Sequence, residues 1–403
     1  MTWPVVLSLL SLAYWIWAIA DTLHSRKWML RLPRQAAAPF GAGNRWAEDA
    51  GKTPLVSVIV AAKEEEDSIT DTVKHLLDQN YPRLEIIAVN DRSQDATGRK
   101  LDELRRWSEG RKELPVPLRV IHVTRLPDGW LGKNHALYQG YLQARGSLLL
   151  FTDADITFSP DAVSAAVRYL QETKADHLTL APRMVTKGFW LQAFVRYFFF
   201  TLSLYVRPWR ANDDLQDRTG MGIGAFNLLT RQAYERIGTH RAIARRPDDD
   251  LQLGMLVKRH RLRQRLATAP DHLAVEWYPG MKEAIRGLEK NLFSGFGYSV
   301  LKAGAGIAGQ LLVFIYPWIG LFASQGWPAV AYALCALMML AAYMLHTRAM
   351  LGRPASELAV LPLSALLLTW IVIRSVWLTL RQGGIYWRGT FYPLRELKRL
   401  QEP

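Results

Sequence analysis

A short β-branched run near the start of the central region constrains the fold more than any other feature. Residues 55–61 read Leu-Val-Ser-Val-Ile-Val-Ala, an almost continuous apolar stretch. Such a run is typical of a strand that is buried on both faces of a parallel sheet. Because parallel strands need a crossover connection, usually a helix, the run predicts an α/β domain.

The segments after this run alternate as an α/β domain requires. Helical patterns and apolar runs follow one another; helices are predicted at 68–79, 97–109 and 134–144, and strands at 84–89, 119–123 and 147–152. This order predicts a mostly parallel sheet with right-handed crossovers. Ligands bind such sheets at the carboxyl ends of the strands, so the residues that follow each strand are candidate site residues.

Apolar segments flank this domain on both sides. Residues 4–20 are apolar and rich in Trp, and basic residues follow them at Arg26 and Lys27. A cleaved signal peptide has its basic region first, so we predict an uncleaved membrane anchor with its basic flank in the cytoplasm. Three further stretches are each near the length that spans a bilayer, at 307–322, 328–345 and 358–380.

The tail after the last stretch is basic, which predicts a cytoplasmic location for it. Three simple crossings after a cytoplasmic domain would place the tail outside. We therefore predict that the first of the three stretches, which contains Pro317, is re-entrant or interfacial, and that the last two form a hairpin.

The net charge of +14 is compatible with nucleic acid, an anionic membrane surface or a phosphate-bearing substrate as partner. No nucleic-acid-binding motif is present, and basic residues crowd beside the apolar stretches, as at 395–399. The charge therefore indicates membrane contact and no nucleic-acid partner. The single cysteine, Cys335, excludes a disulfide framework.

Two aspartates follow the strand predicted at 147–152. Asp153 and Asp155 flank Ala154, and side chains two residues apart in an extended chain point the same way. Neighbouring carboxylates repel each other unless a cation lies between them, and Mg²⁺ and Mn²⁺ prefer carboxylate oxygens. We predict a divalent metal held by Asp155 and Asp153, which would stabilise a leaving diphosphate. A plain turn after the strand is the alternative.

Acidic residues also follow the first two strands. Glu65 and Glu66 come after the first strand, and Asp91 and Asp95 after the second. An acid at a strand end can accept hydrogen bonds from a nucleoside, but acids also cap helix N-termini. For Asp91, directly after its strand, we favour a functional role. For Glu66 and Asp95 both interpretations stay open.

Four motifs, in this order, resemble those of the family-two glycosyltransferases, whose GT-A fold is a Rossmann-like α/β domain. They are Val58–Glu65, Val89–Ser93, Gly132–Asn134 and Asp153–Asp155. The family usually has Pro in place of Ala61 and Asn in place of Glu64, so the chain departs at both. The stretches 127–134 and 288–293 are similar to a membrane-bound branch linked to glycosylation of hopanoids, carotenoids and other lipids.

The resemblance implies an inverting glycosyltransferase that moves one sugar from a nucleotide sugar, such as a UDP-sugar, to a lipid acceptor. Its site would face the cytoplasm at the inner (plasma) membrane. The donor-binding roles that it implies are nucleoside contacts from Ala61, Glu65 and Asp91, a diphosphate contact from Lys133, and metal contacts from Asp155 assisted by Asp153.

The catalytic base of such enzymes belongs to an acidic pair before a helix, with a leucine three residues on. Asp249-Asp250 followed by Leu253 fits this pattern, which implies Asp250 as the base with Asp249 beside it. Adjacent carboxylates raise one another's pKa values, which suits a general base. Acidic residues in the first turn of a helix are the alternative.

Residues 189–206 are apolar and aromatic but contain Arg196. They lie between the predicted metal ligands and Asp250, which must act on the same sugar carbon. A single crossing here would place those groups on opposite sides of the membrane, so we predict a helix that lies in the interface.

These observations predict six regions. They are an N-terminal membrane anchor at 1–23, a linker at 24–52, a GT-A domain at 53–280, an amphipathic interfacial segment at 281–306, a transmembrane region at 307–380 and a basic cytoplasmic tail at 381–403. The glycine-rich stretch 220–224 lacks the acidic partner of a dinucleotide site and is interpreted as a flexible loop near the acceptor or a plain turn.

Two other functions remain open. A processive polysaccharide synthase would carry Gln-x-x-Arg-Trp near the membrane, and the chain has Arg286–Asn291 there instead. A non-catalytic membrane scaffold with this fold could lose its acids, whereas this chain retains the acidic pairs 153/155 and 249/250. The oligomeric state is not predicted.

Overall fold

The computed structural model describes residues 3–34, 53–110, 116–351, 355–387 and 390–399. The chain divides into two compact units. The first, here called the α/β unit, comprises Lys27–Arg183 and Pro208–Val275. The second, here called the helical unit, comprises Met1–Arg26, Met184–Arg207 and Glu276–Pro403.

The strands are numbered along the chain. They are β1 (Leu30–Arg31), β2 (Val56–Ala62), β3 (Leu84–Asp91), β4 (Leu118–Val123), β5 (Leu148–Asp153), β6 (Ile156–Phe158), β7 (His177–Ala181), β8 (Arg183–Met184), β9 (Asn227–Thr230), β10 (Gln264–Thr268), β11 (Leu273–Val275), β12 (Gly384–Trp387) and β13 (Thr390–Pro393).

The helices are numbered in the same way. They are α1 (Trp3–Ser25), α2 (Ile69–Leu77), α3 (Thr97–Glu109), α4 (Gly132–Gln143), α5 (Ala162–Glu172), α6 (Phe189–Val206), α7 (Arg231–Arg236), α8 (Asp249–Arg259), α9 (Met281–Asn291), α10 (Val300–Gln310), α11 (Tyr316–Ala323), α12 (Trp327–Leu351), α13 (Leu361–Gln382) and α14 (Leu394–Arg399).

The α/β unit is built on an eight-stranded sheet in the order β1-β10-β7-β9-β5-β2-β3-β4. Strand β9 is antiparallel to its neighbours β5 and β7, and the remaining pairs are parallel. The predicted GT-A-like α/β fold with a mostly parallel sheet is therefore confirmed. The four strands and three helices predicted for its first half occur within two residues of the predicted bounds.

The buried faces of β2 explain why the β-branched run forms a central strand. Val58, Ile59 and Val60 are fully buried, so side chains on both faces of the strand are removed from water. Each such side chain contributes about 1.5–3 kcal/mol through burial. Helix α4 packs closely on this strand at Gly140, where an added Cβ would lie closer than 3.0 Å to the Ile59 side chain. This packing fixes the start of α4 near the carboxyl ends of the strands.

Part of the predicted linker is ordered in the sheet. Strand β1 pairs in parallel with β10. Arg31 and Arg34 both form ion pairs with Asp271, which anchor this edge strand. Residues 35–52 of the predicted linker lie outside the described residues.

The helical unit contains the apolar segments. Among the described residues, five helical segments are long and apolar enough to cross a membrane, at Trp3–Trp28, Phe189–Val206, Val300–Ala323, Trp327–Met350 and Leu358–Gln382. The chain is therefore a membrane protein. Helix α10 continues into α11 through a π-helical turn at Leu311–Ile315, so the apolar helix begins at Val300, ahead of the predicted stretch.

The predicted tail contains an antiparallel hairpin of β12 and β13, followed by α14. Residues 400–403 lie outside the described residues. Helix α12 packs against α1 and α11, whereas α13 packs against α6, α9 and α10. The number of crossings and the side on which the tail lies stay predictions.

Helix α6 has the bounds that the apolar run predicts, and its charged residue, Arg196, forms an ion pair. Both Glu357 carboxylate oxygens accept hydrogen bonds from Arg196, at 2.8 and 3.0 Å, and the Tyr343 hydroxyl donates to the same carboxylate. An ion pair with a further hydrogen bond offsets part of the cost of burying two charges. The interfacial placement of α6 stays a prediction, because its length and composition also suit a crossing.

Candidate active site

Three neighbouring strands bring the predicted donor-binding residues to one edge of the sheet. Strand β2 lies between β5 and β3, and Ala61 is in register with Asp153 on one side and Val89 on the other. Asp91 is the last residue of β3. The carboxyl ends of these parallel strands therefore place Ala61, Asp91 and Asp153 at the same edge.

Lys133, the second residue of α4, joins two acidic motifs that are distant in the sequence. Its Nζ lies 2.8 Å from Oδ1 of Asp153 and 3.4 Å from Oδ1 of Asp249. Burial opposes the charge on Lys133, but the carboxylates of Asp153, Asp249 and Asp250 outweigh it and raise the pKa of the ammonium group. The lysine therefore stays protonated and holds the start of α8 against the end of β5.

Asp250 is held by backbone groups. Its Oδ2 accepts from the backbone N–H of Gly224 at 2.7 Å, and its Oδ1 accepts from the backbone N–H of Leu251 at 2.8 Å. The carbonyl of Gly224 accepts from the backbone N–H of Asp153 at 3.0 Å. Gly224 therefore bridges the predicted metal motif and the predicted base. Burial raises the pKa of both Asp249 and Asp250, and the charge of Lys133 opposes this.

The glycine-rich stretch 220–224 is packed between these acids. A Cβ at Gly222 would lie closer than 3.0 Å to the backbone carbonyl oxygen of Asp250. A Cβ at Gly224 would lie closer than 3.0 Å to Oδ2 of Asp153. The stretch is therefore part of the site and is held tightly there. The sequence predicted a flexible loop near the acceptor or a plain turn here, and it did not predict these close contacts with the acids. Three alternate glycines between two acidic motifs are a usable signal for such close backbone approach.

Asp155 lies in the turn between β5 and β6. Desolvation by the surrounding protein, together with the negative charges of Asp153 and Glu65, raises its pKa to about 6. This excess of negative charge and the oxygen donors suit a divalent cation. No group of three or more His, Cys, Asp or Glu residues arranged for a metal occurs among the described residues. A cation at Asp153 and Asp155 would take its other ligands from water or phosphate oxygens.

The predicted nucleoside acid Asp91 has a partner that the sequence did not predict. It is buried, and its carboxylate oxygens accept from Nε and Nη2 of Arg92 at 2.8 and 3.1 Å. Gly132 packs directly on this pair, since a Cβ there would lie closer than 3.0 Å to Asp91 and Arg92. The Asp91–Arg92 pair therefore borders the start of α4, next to Lys133.

The loops after β2 and β3 hold each other in place. The backbone N–H of Glu66 donates to Asp95, and Glu66 in turn accepts from the backbone N–H of Ala96, both at 3.1 Å. Asp95 also accepts from the backbone N–H of Thr97, in the first turn of α3. These contacts tie the two loops to each other and to the start of α3, and both interpretations of Glu66 and Asp95 stay open. Glu65 accepts from the Ser68 hydroxyl at 2.9 Å and contributes charge at Asp155.

Comparison with known proteins agrees with this fold. Residues 57–238 match the family described as "Glycosyl transferase family 2". The chain is 26% identical over 351 residues to proteins named 4,4'-diaponeurosporenoate glycosyltransferase from Staphylococcus aureus strains RF122 and MRSA252. Each match covers 84% of this chain and 88% of the relative.

A solved structure shows the same fold over most of the chain. It is a mannosyltransferase from Pyrobaculum calidifontis in complex with GDP-Man and Mn²⁺, with a TM-score of 0.51 and 20% sequence identity. The match covers 92% of this chain and 98% of that one. The ordered acidic motifs, the GT-A-like sheet and the match over residues 57–238 together support a glycosyltransferase with a GT-A-like domain, and the described residues include five candidate membrane spans.

Proposed function

We propose that this glycosyltransferase moves a single sugar from a nucleotide-sugar donor, such as a UDP-sugar, to a lipid acceptor with inversion at the anomeric carbon. The observation that carries the proposal is the cluster around Lys133 and Gly224. It joins Asp153, at the end of β5, to Asp249 and Asp250, at the start of α8. Donor acids and a candidate base are thereby within reach of one substrate.

Asp250 is the proposed general base. Backbone N–H groups from Gly224 and Leu251 fix its two oxygens, which leaves each oxygen a further lone pair for the acceptor. It would take the proton of the acceptor hydroxyl as that oxygen attacks the anomeric carbon and the nucleoside diphosphate leaves. Burial raises the pKa of Asp250, and this increases its basicity toward a hydroxyl proton.

The donor would lie along the carboxyl ends of β2, β3 and β5. Ala61, Glu65 and Asp91 are the proposed nucleoside contacts, and Lys133 at the start of α4 is the proposed diphosphate contact. The N-terminus of a helix favours anions, which supports a diphosphate there. Asp155 with Asp153 would hold Mg²⁺ or Mn²⁺, which when bound would neutralise charge on the diphosphate.

The acceptor is proposed from the relatives together with the helical unit. Proteins named 4,4'-diaponeurosporenoate glycosyltransferase match 84% of this chain, including part of its apolar region. A carotenoid-type or other long apolar lipid would reach the site from the membrane. We place the α/β unit in the cytoplasm at the inner (plasma) membrane, because basic residues follow α1.

Analysis of the product tests the proposal. Membranes that contain the protein would be incubated with a panel of labelled nucleotide sugars, and the products extracted into organic solvent for mass spectrometry. We expect label in the organic phase and a mass increase of one sugar. A ladder of added sugars would instead support the alternative, a processive polysaccharide synthase. Absence of nucleoside diphosphate release with every donor would support the non-catalytic scaffold.

A further inference from the structure

Lys133 and the proposed metal depend on the same carboxylate. The ammonium group lies 2.8 Å from Oδ1 of Asp153, one of the two proposed metal ligands, and also contacts Asp249. Its backbone is fixed by Gly132, which packs on the Asp91–Arg92 pair. The Lys133 backbone is fixed in this way, but its flexible four-carbon side chain allows the ammonium group to change partners.

Charge balance limits how many cations can bind at the carboxylates of Asp153 and Asp155. A divalent cation at Asp153 and Asp155 would lie beside the ammonium group, and like charges at such a separation repel strongly in a partly buried site. The donor diphosphate brings negative charge at the same time. The repulsion would be relieved if the ammonium group moved from Asp153 to the diphosphate, the group that Lys133 is proposed to contact.

We propose that Lys133 is an exchangeable counter-ion: it occupies the carboxylates of Asp153 and Asp249 in the free protein and passes to the donor diphosphate when the metal takes its place at Asp153. It is a positioning residue that keeps the affinity for free metal low until the donor is present. This inference rests on the proposed function, specifically on the metal site at Asp153 and Asp155.

Metal binding without turnover tests the exchange. Mn²⁺ would be titrated into the purified full chain in detergent, and free Mn²⁺ measured by electron paramagnetic resonance. Lys133→Met is expected to bind Mn²⁺ more tightly than the wild type by about tenfold or more, the size of effect that one neighbouring charge has on an ionic equilibrium. Lys133→Arg, which keeps the charge, should bind Mn²⁺ like the wild type. Lys74→Met, on the exposed face of α2, is the matched control.

A second measurement follows the other half of the exchange. UDP, or GDP where UDP does not bind, would be titrated at saturating Mn²⁺ and followed by tryptophan fluorescence. Lys133→Met should bind the nucleotide about tenfold more weakly, while Lys74→Met should not differ from the wild type.

Asp155→Asn separates the possible failures. If the wild type and Asp155→Asn bind Mn²⁺ equally, the metal site of the proposed function is wrong and the inference falls with it. If Asp155→Asn binds Mn²⁺ more weakly but Lys133→Met binds it no more tightly than the wild type, the metal site stands and the exchange is overturned. Unchanged nucleotide affinity in Lys133→Met would overturn the exchange as well.

Discussion

The backbone N–H of Gly224 donates to Oδ2 of Asp250 at 2.7 Å, and this bond places the proposed base beside the strand that carries Asp153. The carbonyl of the same glycine accepts from the backbone N–H of Asp153. Two acidic motifs that are far apart in the sequence are thus joined through one residue without a side chain.

Gly224→Ala is expected to lose activity because the added methyl group would lie closer than 3.0 Å to Oδ2 of Asp153. Either that carboxylate or the Gly224–Asp250 bond must move. Since small displacements of reacting groups are costly, we expect sugar transfer to fall by about 10²-fold. Gly304→Ala is the control, because nothing lies within 4 Å of a Cβ there. Transfer by Gly224→Ala at the wild-type rate would contradict the bridging role.

Asp250→Asn should retain donor binding but lose transfer by about 10²-fold or more, as expected when a general base is removed. The amide would also present N–H groups where Gly224 or Leu251 now donates. Donor affinity and single-turnover transfer should be measured separately. If Asp249→Asn is inactive and Asp250→Asn is active, the base is the neighbouring residue.

The stability of the protein should fall in mild acid because of His177. This residue of β7 is fully buried; its Nδ1 faces Nε2 of Gln264 at 2.7 Å and its Nε2 faces Oδ1 of Asn227 at 3.1 Å. Burial lowers its pKa to about 4, whereas an unfolded histidine titrates near about 6.5. The unfolded state therefore takes up a proton first, and stability is lost as the pH falls from about 6.5 towards 4.

Thermal unfolding midpoints at pH 7.5 and pH 5 would measure this loss. We expect the drop between the two to be smaller in His177→Gln than in the wild type. His122→Gln, at an exposed histidine, is the comparison variant. An unaltered pH dependence in His177→Gln would show that other groups dominate.

The basic tail should lie on the same side of the membrane as the α/β unit. Arg381 and Arg395 are among the basic residues after α13, and positive residues favour the cytoplasm. A reporter that is active only in the cytoplasm, fused after Pro403, should therefore be active. If a reporter that is active only outside the cytoplasm is active at this position, the chain makes three full crossings after the α/β unit.

The first half of the sheet could be predicted because its signals are local. Strands β2, β3 and β5 are largely apolar runs, and in the intervening helices the apolar residues recur at helical spacing. The second half could not be predicted in this way. Strand β9 has only four residues and pairs antiparallel with both β5 and β7, so its place depends on tertiary packing and not on its own sequence.

The same distinction between local signals and tertiary packing applies to the candidate site. The residue types at the strand ends indicated Asp91, Asp153 and Asp155 as candidates, and the resemblance added Lys133 and Asp250. The contacts between them were not predictable. Lys133 meets Asp249, and Gly224 meets Asp250, because β5, β9, α4 and α8 pack together, and no local pattern encodes those distances. Their roles in catalysis stay predictions until the variants are measured.

The route of the chain through α6 has a practical consequence. The α/β unit is interrupted between Arg183 and Pro208, and the inserted helix buries Phe194, Tyr197 and Phe200 in the core of the helical unit. Removing α1 and everything after Val275 would therefore leave a fragment that still exposes a row of aromatic side chains. Such a fragment should aggregate in the absence of detergent, so this enzyme cannot be made soluble by trimming its ends alone.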